Sequence, residues 1–132
     1  MATTITAEQA LTLAREFRLA SGRLTDYRFA NYARLTAAQR KSLEDRELDL
    51  LNSGNSMITQ AVGLVLADTE NSLTAIKNST AKARAAIGRI EKAKAVIDVA
   101  THLVRLATAI LSGDPAKIAR AAKATLDAAT TA

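Results

Sequence analysis

The chain has 132 residues, enough for one modest core, with formal net charge +5 and a sequence pI near 9.9. It has no cysteine or tryptophan and a single proline, while about a fifth of its residues are alanine. That usage excludes disulfide scaffolds and thiolate metal sites and favours long helices over sheet.

Thr6-Ala7-Glu8-Gln9 reads as a capping box that starts a helix, with Ala10, Leu13, Phe17, Ala20 and Leu24 on one stripe. The stripe stays in phase through Tyr27, so the spacing predicts helix over 7–33, weakened at Gly22. Thr36-Ala37-Ala38-Gln39 is a second capping box and opens a helix over 37–52. Its run Glu44-Asp45-Arg46-Glu47 reads as a solvated face with local ion pairs. Asn52-Ser53-Gly54-Asn55-Ser56 is the strongest interior turn signal, and a reversal there folds the N-terminal arm back along the C-terminal half of the chain.

From Met57 to Leu111 small and aliphatic residues step by three and four, through Val62, Leu66, Leu73, Ile76, Thr80, Ala83, Ile87, Ile90, Ile97, Val104 and Ala107. The phase predicts one long helix over 56–111, with breaks near 68–72 or 78–80 as the alternatives. Lys94 and Thr101 are polar intrusions on this seam. Leu111-Ser112-Gly113-Asp114-Pro115 then supplies a left-handed stop and a capped restart for a helix over 115–130. The expected fold is all-α: an elongated helical hairpin or bundle with a long central amphipathic helix and a short C-terminal helix folded back, all within a single domain, 1–132.

Candidate chemistry is sparse. His102 is the only histidine, and Asp98 is the sole acidic residue one turn before it, too few groups for a metal site or a general base. No phosphate-cradling glycine loop, nucleophile elbow or zinc motif is present. The sequence therefore argues against an enzyme and implies no cofactor. Residues 82–95 carry a net +4, from Lys82, Arg84, Arg89, Lys92 and Lys94 against Glu91. Within them Lys82, Arg89 and Lys92 form a basic stripe that could meet phosphates or anionic lipid. With no aromatic nearby to stack bases, nucleic acid is the weaker partner.

Tyr27, Phe29 and Tyr32 lie among Arg23, Arg28 and Arg34, a hot-spot composition that could equally plug one end of an alanine-lined bundle. The window 57–67, with Met57, Ile58, Val62 and Leu66, is apolar nearly all round its helix. At about eleven residues it falls short of the roughly 20 that span a bilayer. In outline, a long helical hairpin with an apolar window near one tip resembles the α-helical pore-forming toxins, a likeness of architecture alone.

The leading expectation is a non-enzymatic helical interaction or assembly module. It would bind itself as a homo-oligomer, or another helical protein, through its apolar seam. A membrane- or lipid-surface-active protein, using 57–67 and the stripe 82–94 on an anionic surface, is the alternative. Residues 1–10 lack a signal-peptide pattern, so a cytoplasmic location is expected, with unconventional secretion left open.

Overall fold

The computed structural model describes residues 3–60, 65–66 and 69–132. Helices α1 (Ala7–Ala30), α2 (Ala37–Thr59), α3 (Thr69–Arg89), α4 (Ala93–Ser112) and α5 (Pro115–Thr131) form an all-α bundle. A 3-10 turn, Tyr32–Arg34, links the first two helices. A two-residue antiparallel bridge pairs β1 (Thr3–Thr4) with β2 (Val65–Leu66).

The three terminal signals act as their side chains dictate. Thr6 Oγ1 accepts the Gln9 amide at 3.1 Å, and Gln9 Oε1 accepts the Thr6 amide at 2.9 Å. Thr36 and Gln39 repeat both bonds at the start of α2. Gly113 caps α4 at φ 73°, and Asp114 Oδ1 accepts the Ala116 and Lys117 amides ahead of α5.

The Asn52–Ser56 turn does not form, because α2 runs through it to Thr59. Gly54 is there for a close approach instead. A Cβ on it would lie 3.2 Å from the Ala14 carbonyl oxygen, so α1 presses on α2 where no side chain intervenes. Asn55 is engaged as well, its Oδ1 accepting Arg18 Nη2 at 2.8 Å.

The expected long helix over 56–111 is not continuous: residues 56–59 end α2, Val65–Leu66 pair with β1, and residues 69–111 form two helices joined by Ile90, Glu91 and Lys92. The seam's phase runs through this joint, yet the Glu91 carbonyl leaves the helical ladder to accept the Tyr27 hydroxyl at 3.0 Å and Arg34 Nη2 at 3.4 Å. Lys92 is extended (φ −81°, ψ 123°), and α3 and α4 fold against each other. A tertiary contact thus overrides local periodicity. The alternative break at 78–80 is helix: Ser79 and Thr80 are buried in α3, with Ser79 Oγ donating to the Ala122 carbonyl at 2.9 Å. The break near 68–72 coincides with the start of α3 at Thr69.

The seam ends up inside the molecule. Ile76, Thr80, Ala83, Ile87 and Ala107 are buried, and Ile90, Ile97, Val104 and Leu111 are half-buried against the same core. With it pack Leu13, Phe17 and Leu24 from α1, Leu43, Leu50 and Met57 from α2, and Leu103 and Leu106 from α4. Helix α4 touches each of the other four. It is also long and apolar enough to cross a membrane by length and composition, at mean hydropathy 1.5, and 44% of that stretch is buried inside the bundle.

Candidate interaction surface

Helices α1 and α2 lie antiparallel and are fastened by two kinds of contact. Close to Gly54 they meet backbone to backbone. Further along, Ser21 Oγ donates to the Glu47 carbonyl at 2.9 Å, and the buried Glu47 carboxylate accepts Arg28 Nε at 2.7 Å and Arg28 Nη2 at 3.0 Å. Thr25 Oγ1 donates to the same carboxylate at 2.5 Å. Hydrogen bonding and charge from Glu47 hold the Arg28 guanidinium above its ordinary value, so it stays charged at every relevant pH. The run 44–47 is therefore only partly a solvated face, since Glu47 is a buried cross-helix anchor. A second buried pair, Arg84 with Glu16, joins α3 to α1, and Thr80 Oγ1 donates to Glu16 at 3.1 Å.

These anchors leave one side of the α1–α2 pair facing outward, and it carries exposed apolar bulk among polar residues. Among the described residues the exposed large hydrophobic side chains are Leu11, Leu19, Phe29, Tyr32, Leu48, Leu51 and Ile58. All seven lie on α1, the 3-10 turn or α2, and Phe29, Leu48, Leu11 and Tyr32 are more than half exposed, at 66%, 57%, 53% and 51%. Residues 14, 18, 21, 25 and 28 of α1 meet α2, so Leu11 and Leu19 turn past that contact, away from the core side marked by Leu13, Phe17 and Leu24. Leu48 does the same on α2, where Leu43, Leu50 and Met57 mark the core side, and Leu51 lies partly exposed along the α1-facing row of Glu47 and Gly54. At one end of this face Arg28 stands over the Phe29 ring at 4.8 Å, and Arg40 over the Tyr32 ring at 4.4 Å.

The structure divides the sequence-predicted residues. Ile58, Phe29 and Tyr32 belong to the outer face. Met57 and Tyr27 are buried and are not available to a partner. Val62 lies outside the described residues; Leu66 is described only through its backbone pairing with Thr3. Leu11, Leu19, Leu48 and Leu51 escape a reading of the sequence that follows the stripes, and the one signal for the first two is that they fall off the Ala10–Leu24 stripe.

The basic stripe is not one face of one helix. Lys82 and Arg89 sit on α3, Lys92 stands at the start of α4 across the joint, and all three are exposed. Arg89 Nη2 donates to the Ala129 carbonyl at 2.9 Å, capping the end of α5, and Arg34 holds the Glu91 carbonyl. These two arginines line a groove of about 530 Å³ with Arg23, Asp26 and Tyr27. Their job there is to satisfy helix-end carbonyls. His102 and Asp98 border a smaller hollow of about 430 Å³ between α4 and α5, beside Arg105 and Thr131. Among the described residues no cluster of three His, Cys, Asp or Glu could hold a metal ion.

Tyr27 makes a testable link between this groove and the joint. Burial pushes its phenol above the ordinary value of 10.0, with Arg34 pulling the other way. A raised folded-state value favours the neutral form, so the stability it contributes is present below pH 10.0 and is lost as pH rises through the folded value. Tyr27→Phe should cost about 1 kcal/mol at neutral pH and should show a shallower alkaline decline than the wild type. Urea unfolding at about pH 8 and about pH 11 measures both.

Comparison with known proteins finds no family model, curated protein or solved structure that matches this chain.

Proposed function

We propose that this protein is a non-enzymatic helical interaction module that binds through the outer face of the α1–α2 pair. The observation that carries this reading is the one-sided distribution of exposed apolar bulk. Six large hydrophobic side chains on one helical pair, and Tyr32 on the turn between them, stand in water, while α3, α4 and α5 keep theirs covered or half-covered among the described residues. Scattered single exposures are ordinary for a soluble protein, but a contiguous set on one face marks a contact surface. The aromatic and arginine end of the face, Phe29, Tyr32, Arg28 and Arg40, has the composition of an interface hot spot.

The binding surface is accordingly the N-terminal pair and not the seam from Leu73 to Leu111, whose apolar residues are buried or half-buried. The membrane-active alternative through 57–67 and 82–94 is less supported, because Met57 is buried and the basic stripe is divided across the α3–α4 joint; insertion of the apolar α4 would dismantle the core. The test is binding of an apolar fluorescent probe by dilute protein. Leu19→Glu with Leu51→Glu should abolish most of the signal while helical circular dichroism is unchanged. Undiminished probe binding by the double variant would overturn the reading.

A further inference from the structure

We infer that the occupant of this face is a second copy of the chain, docked about a two-fold axis that runs along the helices within the interface. The inference rests on the reading of the α1–α2 face as a contact surface and adds the partner and its orientation.

The register of the pair points to this axis. Ala14 lies beside Gly54, Arg18 holds Asn55, and Ser21 holds Glu47. In that antiparallel register Leu11 is level with Ile58, and Leu19 with Leu51. Two apolar rungs therefore cross the face, Leu11 with Ile58 and Leu19 with Leu51, while Leu48, Phe29 and Tyr32 stand outside them. A two-fold axis parallel to the helices keeps every level in place and exchanges the helices, so α1 of one copy lies on α2 of the other. Each apolar rung then falls on its own equivalent, and Leu19 meets Leu51 of the second copy. That is the self-complementarity an isologous contact requires.

The polar residues choose the same axis. The outward side of α1 carries the exposed Arg15 and Arg18, and the outward side of α2 carries the exposed amides Asn52 and Asn55. The parallel axis sets guanidiniums over amides that accept from them, as Asn55 already does within one copy. An axis across the helices would set α1 on α1 and point the same arginines at one another. Size agrees as well. Two helices of 24 and 23 residues present a face. Its dimensions are roughly 35 Å by 20 Å, about 700 Å² per copy, close to the ~800 Å² a standard stable interface buries on each side.

The chain has no cysteine, so single thiols report cleanly. One batch carries Leu19→Cys and a second, distinguishable by a size tag, carries Leu51→Cys; each is oxidised alone and then mixed. The parallel two-fold predicts on the order of tenfold more disulfide between the two variants in the mixture than within either batch. Sedimentation equilibrium of the wild type should show a monomer–dimer equilibrium. Disulfides formed mainly within the Leu19→Cys batch would put α1 on α1 and overturn the proposed axis. A wild type that stays monomeric to about 200 µM, with no mixed disulfide, would overturn the second copy as occupant. In either case the contact-surface reading falls only if the apolar probe also ignores Leu19 and Leu51, so the two failures are separable.

Discussion

Glu47→Ala should remove about 3 kcal/mol of stability, one of the two largest losses expected from a single substitution here. The Glu47 and Arg28 side chains keep only 9% and 14% of their exposure, so water cannot replace the missing carboxylate. Truncation leaves a charged guanidinium without its two bonds at 2.7 and 3.0 Å, while the Thr25 hydroxyl keeps the Ser21 carbonyl at 3.1 Å as acceptor. Glu44, 3.4 Å from Arg28 but half exposed, recovers a little. A buried pair is worth less than the damage done by breaking it, because both ions gave up hydration to meet. Replacing both, Arg28→Met with Glu47→Met, should therefore come within about 1 kcal/mol of wild type. Urea unfolding followed by far-ultraviolet circular dichroism reads all three proteins. A Glu47→Ala loss under about 1 kcal/mol would mean that the pair does not fasten α1 to α2.

The second large effect is Gly54→Val, expected to cost about 2–4 kcal/mol. A Cβ at Gly54 would sit 3.2 Å from the Ala14 carbonyl oxygen, 3.6 Å from Arg18 Cγ and 3.7 Å from Ala14 Cα. Arg18 can swing aside; the Ala14 backbone is locked in α1 and cannot. Alanine would need a shift of a few tenths of an ångström, which roughly cancels the ~1 kcal/mol it gains over glycine in a helix. Valine adds two methyl groups to the same space and loses rotamer freedom, so the helices must part. Gly22 is the control, with nothing within 4 Å of its would-be Cβ. Gly22→Ala should stabilise by about 0.5–1 kcal/mol on helix propensity alone. Thermal unfolding of the three variants orders them, and a neutral Gly54→Val would contradict the close approach.

Much of this fold is legible in the sequence because its helix ends are encoded locally. Thr6, Thr36 and Asp114 cap with their own side chains, and Gly113 supplies the positive φ where α4 must stop. The misleading residues are those whose partners are distant in sequence. Gly54 carries the same letter whether it turns the chain or lets Ala14 approach, and only the neighbouring helix decides. The joint at Ile90–Lys92 has no proline or glycine pair, since its cause is the hydroxyl of Tyr27, far away along the chain. Lys94, a charge on the seam immediately after the joint, is the one local trace of it. The contact face is half visible for a similar reason. Phe29 and Tyr32 stand out by type, but the leucines become a surface only once α2 lies beside α1.

The central claim is that the α1–α2 outer face is the surface this molecule uses. Apolar-probe titration of dilute wild-type protein against Leu19→Glu/Leu51→Glu reads it most directly, with Ala81→Glu/Ala119→Glu on the exposed sides of α3 and α5 as the charge-matched control. The first pair should lose most of the probe binding and the second should keep the wild-type level, with all three proteins equally helical. Equal binding by all three, or a loss confined to the α3–α5 pair, would contradict the claim.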